Sequence, residues 1–415
     1  MVDRSFFALA LILPACGSDT TASGSSGGSE TSAASTSSAA TTTSSTTMAT
    51  SGAPSTGAVD DESSSSAAAS ESSSSGGDVE PGETLEVRFL GVGGFALRHG
   101  EDLVLTAPLY SNPGVLEVQF GSIAPDPARI DAFLDPMFVQ DAAAILSGHA
   151  HYDHLLDVPY VWSKTDHALV LANADAAKLL EAEGMPADAI VALDDPELAW
   201  VDSRNCPDPD PCTGLPAGNE GAWLELPQSH VRVRALCSSH PAQVFGVIHF
   251  GEGCVDGEPT EPPPSAGDWK EGQTLAYLID FLDPRSGAPI FRVYAQDAPT
   301  DAPIGHPVPE LLDEKRVDLA LLNVGSWENV TDHPGAIISA MQPRYVIGGH
   351  WEDFFRPQDE PLMEIPFAAP AADFDAAAIA ALGDATEPAV IVDGRAQASR
   401  YFRVAPGTDF ELAAR

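Results

Sequence analysis

The chain has 415 residues, enough for one large or two ordinary domains, and carries 61 Asp and Glu against 20 Lys and Arg, a formal net charge of −41. A surface this acidic repels nucleic acid and anionic membranes, which excludes a polyanion-binding role.

Residues 1–16 read as an export segment. Arg4 precedes the apolar stretch Phe6 to Ala15, which is too short to span a bilayer. The stretch ends in Leu13-Pro14-Ala15-Cys16 and resembles a bacterial lipoprotein lipobox, which implies lipidation of Cys16 and a place in the cell envelope. An ordinary secretory signal with a chance cysteine is the alternative, and either implies export. Residues 17–83 are almost wholly Ser, Thr, Ala and Gly without apolar periodicity, so a disordered tether is expected. Such a linker spans ~40–50 Å as a random coil.

Residues 84–415 read as one folded domain. Glu86 to Phe89, Phe95 to Arg98 and Leu103 to Thr106, separated by Gly91–Gly94 and His99–Asp102, predict a β-meander. Ala142 to Leu146 is a short apolar run, read as a buried strand stopped by Ser147-Gly148. His149, His151, Asp153 and His154 follow, so three imidazoles and a carboxylate fall within six residues at a strand end. Such a density offers little packing and suits zinc or a similar ion. Ala168 to Ala172 then predicts a strand and Ala174 to Glu183 a helix, stopped by Gly184 and Pro186. Alternating strand and helix indicate an α/β fold.

Three later strands repeat the strand-end pattern. Val231 to Leu236 leads to His240, Ile290 to Ala295 to Asp297, and Arg344 to Ile347 to His350. Side chains so delivered are expected to converge at one edge of the sheets. His333 precedes a helical stretch, Gly335 to Met341, and is a candidate substrate or ligand-supporting contact, or simply a helix-start residue. Glu352 and Asp353 are candidates to hydrogen-bond ligand imidazoles. His99, His167, His230, His249 and His306 read as structural or exposed.

The order His149-x-His151-x-Asp153-His154, then His240, Asp297 and His350, resembles the metallo-β-lactamase-fold hydrolase superfamily. Leu155-Leu156 after the cluster and His350-Trp351 near the end are most similar to its ascorbate-6-phosphate lactonase and N-acyl-phosphatidylethanolamine phospholipase D branch. The resemblance implies a four-layer αβ/βα sandwich holding two divalent ions, zinc foremost, with manganese or iron as alternatives. His149, His151 and His240 would hold the first ion, Asp153, His154 and His350 the second, and Asp297 would bridge them. Asp153 would also orient the nucleophile, a hydroxide formed at the metals. Ala298-Pro299 after Asp297 departs from the small hydroxyl residue and glycine common in the family.

Besides Cys16 there are four cysteines, Cys206, Cys212, Cys237 and Cys254, which in an oxidising compartment allow two disulfides in three connectivities. The local Pro-rich loop favours Cys206 with Cys212, leaving Cys237 with Cys254. A competing reading makes Cys237 a metal ligand, because it lies three residues before His240. The loops Ser203 to Gly221 and Gly251 to Trp269 are expected to rim the active site.

The sequence thus predicts an exported hydrolase of a phosphodiester or lactone-type ester, its substrate a small or lipid-like molecule. It would meet membrane only through its lipid anchor. A β-lactamase-type amide hydrolase and a non-catalytic metal-binding surface module are the alternatives.

Overall fold

The apolar runs of the sequence become strands buried on both faces in a computed structural model that describes residues 84–242, 251–366 and 368–414. The export segment, Cys16 and the Ser/Thr-rich linker lie outside the described residues, as does His249.

Two sheets form. The first has nine strands in the spatial order Arg395–Gln397, Val390–Val392, Asp409–Ala413, Thr84–Gly91, Gly94–His99, Asp102–Thr106, Ala142–Leu146, Leu169–Ala172, Ile190–Ala192. The second runs Tyr401–Arg403, Tyr345–Gly349, Leu319–Asn323, Pro289–Gln296, Leu275–Leu282, Val231–Cys237, Val201–Asp202, with Leu224–Glu225 also pairing on Val231–Cys237. The expected meander is present, and its three strands are antiparallel neighbours.

Alternation along each strand divides the apolar side chains among three cores. Val87, Leu97, Val104 and Leu146 of the first sheet meet Val233, Ile279, Val293 and Leu321 of the second in the central core. On the far side of the first sheet, Leu105, Ile145 and Val170 pack with Leu155, Val161, Leu179 and Leu180 of its helices. On the far side of the second, Leu278, Tyr294 and Val346 pack with Ile337, Ile338, Met341 and Phe374. The layers are therefore helix, sheet, sheet, helix, the αβ/βα sandwich that the sequence led us to expect.

Local signals account for the helices. Ala174–Ala182 starts where the Asn173 side chain accepts the Ala176 N–H at 2.7 Å, and Glu183 ends it before Gly184 at φ 89°. Its buried Ala176, Leu179 and Leu180 are spaced three and four apart, one apolar stripe.

The cysteine pairing expected from spacing is wrong. Cys206 is joined to Cys237, and Cys212 to Cys254. The strand Val231–Cys237 has the short strand Val201–Asp202 as its parallel neighbour, so the residues just after Asp202 emerge beside the end of the longer strand. That adjacency brings Cys206 to Cys237, and spacing carries no information about it. The bond also removes Cys237 as a metal ligand. The loop 203–221 is thus stapled at two points to the segments flanking His240.

Candidate metal centre

Strand direction assembles the site. Pro289–Gln296, Leu319–Asn323 and Tyr345–Gly349 are parallel neighbours, and Val231–Cys237 reaches the same direction through two antiparallel steps. Their C-terminal ends therefore share one edge of the second sheet, where His240, Asp297 and His350 follow. In the first sheet, Ala142–Leu146 is buried throughout between parallel neighbours and ends at Ser147-Gly148. Ser147 Oγ donates to the carbonyls of His149 and His154 at 2.9 and 3.2 Å, folding the loop back so that its imidazoles lie together. Gly148 is required by close approach: a β-carbon there would lie 2.6 Å from Asp297 Oδ2 and 2.7 Å from the Leu275 carbonyl. Its own N–H donates to Asp297 Oδ2.

The sequence-predicted ligands converge. Ligand atoms of His149, His151 and His240 lie within 4.8 Å of one another, as do those of Asp153, His154 and His350, and those of His149, His154 and Asp297. The first two sets are the two implied by the family resemblance, and the third places Asp297 between them. His350 Nε2 is 3.1 Å and His154 Nε2 3.5 Å from Asp153 Oδ2, while His154 Nδ1 is 3.6 Å from Asp297 Oδ2. The rings of His149, His151 and His240 stand 4.6 to 4.9 Å apart. A fourth group, Asp175 with Cys212 and Cys254, has both sulfurs in a disulfide and offers no thiolate.

The donor set fits cations. Both nitrogens of His149, Nε2 of His151, Nδ1 of His154 and Nδ1 of His350 are buried without a hydrogen-bond partner. Each neutral imidazole needs an acceptor for its proton and a donor for its lone pair, and burying one without them costs ~1–3 kcal/mol per group. Crowded lone pairs facing one another are resolved by positive ions between them. His240 has Nδ1 2.7 Å from the Pro241 carbonyl, so Nδ1 carries the proton.

Electrostatics agree. Burial, reinforced by the neighbouring imidazoles, holds His149 well below its usual range, and burial pushes His151 and His154 down to about 3. These rings are neutral at ordinary pH, as metal ligation requires. Burial opposes ionisation of Asp153, yet His154 and His350 outweigh it and hold the carboxyl below its normal range. Burial pushes Asp297 up to about 7 despite the Gly148 N–H. His350 sits above its usual value, burial being outweighed by its bond to Asp153. Its backbone is left-handed, φ 54°, with its N–H donated to the Val92 carbonyl at 2.8 Å.

Other candidates fall elsewhere. His333 is buried, its ring 5.8 Å from Phe374, and belongs to none of the three sets. Glu352, expected to hold an imidazole, instead accepts the backbone N–H groups of Val92 at 2.5 Å and Trp351 at 3.1 Å. It braces the Gly91–Gly94 turn against the site. Asp353 accepts the Phe355 N–H at 3.2 Å within its own loop. The loop 251–269 does border the site, since a β-carbon on Gly251 would be 3.0 Å from His151 Cδ2.

Two polar neighbours escaped the sequence reading. Glu271 Oε2, buried and without a hydrogen bond, lies 3.8 Å from His151 Nε2, and it comes from a loop with no pattern to flag it. Asn323 donates its Nδ2 to the Asp297 carbonyl. Its signal was present: Leu319 to Leu322 is one more apolar run ending in a polar residue.

No family model and no curated protein sequence matches the chain. Solved structures with a similar course include an isothiocyanate hydrolase from Delia radicum gut bacteria, 11% identical, covering 79% of this chain and 100% of that one at TM-score 0.43. A metallo hydrolase of the archaeon Ignicoccus hospitalis is 13% identical over 79% of this chain and 98% of its own, TM-score 0.42. A metallo-β-lactamase fold protein of Bacillus subtilis is 9% identical over 80% and 100%, TM-score 0.40. These likenesses are distant; the sandwich and its metal-competent edge stand on the strand order, cores and ligand geometry of this chain.

Proposed function

We propose that the chain is an exported, binuclear metal-dependent hydrolase that cleaves a phosphodiester or a lactone-type ester, as in the lactonase and phospholipase D branch it resembles. The observation that carries the reading is the pair of largely buried triads, His149–His151–His240 and Asp153–His154–His350, with Asp297 between them and ring nitrogens of His149, His151 and His154 lacking partners.

Two divalent ions would supply Lewis acidity and a water acidic enough to lose its proton near neutral pH. The imidazole and carboxylate donors suit zinc, iron or manganese. The two triads would each hold one ion, and Asp297, its Oδ2 fixed by the Gly148 N–H, would bridge them. Asp153, its carboxyl held below the usual range with His350 Nε2 beside it, would accept a hydrogen bond from the attacking water and orient it. Buried walls around His149 and His154 exclude bulk water, which strengthens every charge interaction at the reacting centre. Two disulfides support passage through an oxidising compartment. In this reading residues 1–16 direct export, Cys16 carries lipid, and 17–83 tether the hydrolase domain 84–415.

The test is a hydrolysis screen of the full chain loaded with zinc, manganese or iron, over phosphodiesters, lactones and β-lactams. Turnover of the first two classes is expected. Turnover of β-lactams alone would replace the substrate class, and metal uptake without any turnover would make the chain a metal-binding module.

A further inference from the structure

The end of strand Leu319–Asn323 lies between the strand ends that deliver Asp297 and His350, because its parallel neighbours are Pro289–Gln296 and Tyr345–Gly349. Asn323 is its last residue, and its side chain is buried. One end of the amide is committed, Nδ2 donating to the Asp297 carbonyl. The other end, Oδ1, has no hydrogen-bond partner, and neither has Nδ1 of His350. Both atoms converge on one point: a β-carbon built on Gly325 would lie 3.2 Å from Asn323 Oδ1 and 3.3 Å from His350 Nδ1. Glycine at 325 keeps a side chain from crowding both atoms.

His350 turns its Nε2 toward Asp153 Oδ2, 3.1 Å away and beside His154 Nε2. With Nε2 serving as the ligand atom, the ring's proton must reside on Nδ1, and a buried N–H requires an acceptor. Asn323 Oδ1 is an uncommitted acceptor at that place.

We propose that Asn323 is a positioning residue of the second metal subsite. Its Oδ1 takes the Nδ1–H of His350 through one bridging water, and its Nδ2 holds the backbone of Asp297. One side chain thereby sets the tautomer of one ligand and the place of the bridging carboxylate. The inference rests on the metal-centre reading and goes beyond it, since Asn323 is no ligand and does not touch the reacting atoms.

The experiment uses the full chain with zinc as the probe, and reads zinc content together with the imidazole Nδ1–H resonance of His350 in histidine-labelled protein. The wild type should hold about two ions and show a hydrogen-bonded, slowly exchanging Nδ1–H. In Asn323→Ala that proton should exchange at least tenfold faster and zinc should fall toward one ion. Asn323→Asp, which keeps an acceptor toward His350 but loses the donor to the Asp297 carbonyl, should retain the slow resonance while zinc content falls, and it covers the case in which the alanine variant fails to fold. Two bound ions and an unchanged resonance in Asn323→Ala, or loss of the resonance in a folded Asn323→Asp, would overturn the inference alone. A wild type that takes up no zinc would overturn the metal reading and this inference together.

Discussion

Asp153 and His350, 197 residues apart in the chain, meet with Oδ2 3.1 Å from Nε2 at the facing edges of the two sheets. The proposed second metal subsite would therefore exist only once both sheets have packed, so ion uptake there would report the assembled sandwich and not a local motif.

From that relationship the ligand variants follow. His151→Ala should empty chiefly the first subsite and His350→Ala chiefly the second, each leaving about one ion, while Asp297→Ala weakens both. Hydrolysis should fall in all three while circular dichroism stays unchanged. Metal analysis after dialysis checks it, and equal loss of both ions from His151→Ala would contradict the division into two subsites.

Gly148→Ala tests the close approach of the first ligand loop to Asp297. The added methyl would sit 2.6 Å from Asp297 Oδ2 and 2.7 Å from a backbone carbonyl, and the carbonyl cannot swing away. Metal affinity and turnover should drop at least tenfold. A variant with wild-type metal content would show that the loop shifts freely.

For the disulfides, peptide mapping without reduction should recover Cys206 linked to Cys237 and Cys212 linked to Cys254. Replacing either pair by serines should cost roughly 2–4 kcal/mol in a urea titration. Free thiols at Cys212 and Cys254 in exported protein would contradict the pairing.

Asp194 should make stability pH-dependent. Burial, then the charge of Asp210, pushes its carboxyl from 3.8 up to about 7, although its Oδ1 accepts the Ala174 N–H at 2.6 Å. The fold therefore favours the protonated form. This contribution is fully present below pH 3.8 and is lost as pH rises through about 7. Asp194→Asn, which keeps the acceptor, should flatten that decline. Urea midpoints at pH 5 and pH 8 measure it, and an unchanged difference between them would refute the assignment to Asp194.

The anchor can be tested at Cys16. If it is lipidated, the wild type partitions into detergent and Cys16→Ser moves to the soluble exported fraction. Wild-type protein found soluble, with Cys16 unmodified or removed, would end the lipoprotein reading.

Much of the site was legible because strand ends are written locally: an apolar run, a break, then metal-competent side chains, as in Ala142 to His154. What the sequence could not convey was adjacency. Cys206 meets Cys237 because two strands pair in parallel, and spacing pointed instead to Cys212. Glu352 lies only two residues after His350, yet its carboxylate is claimed by Val92, 260 residues earlier, because the Gly91–Gly94 turn folds over it. Asn323 carried the same local signal as the ligands and went unread because an amide is not a metal ligand of note. Its use depends on the strands at either side.

His350 has a further consequence through its backbone. A side-chain-bearing residue at φ 54° costs on the order of 1 kcal/mol that glycine, the type found at the two preceding positions, would avoid. The chain is thus held away from its own stability optimum at the very residue that would complete the proposed second subsite. Among the candidate ligands His350 alone has this conformation, so selection for thermal resistance would press on the centre at that position, a trade-off between durability and chemistry set by a single dihedral angle.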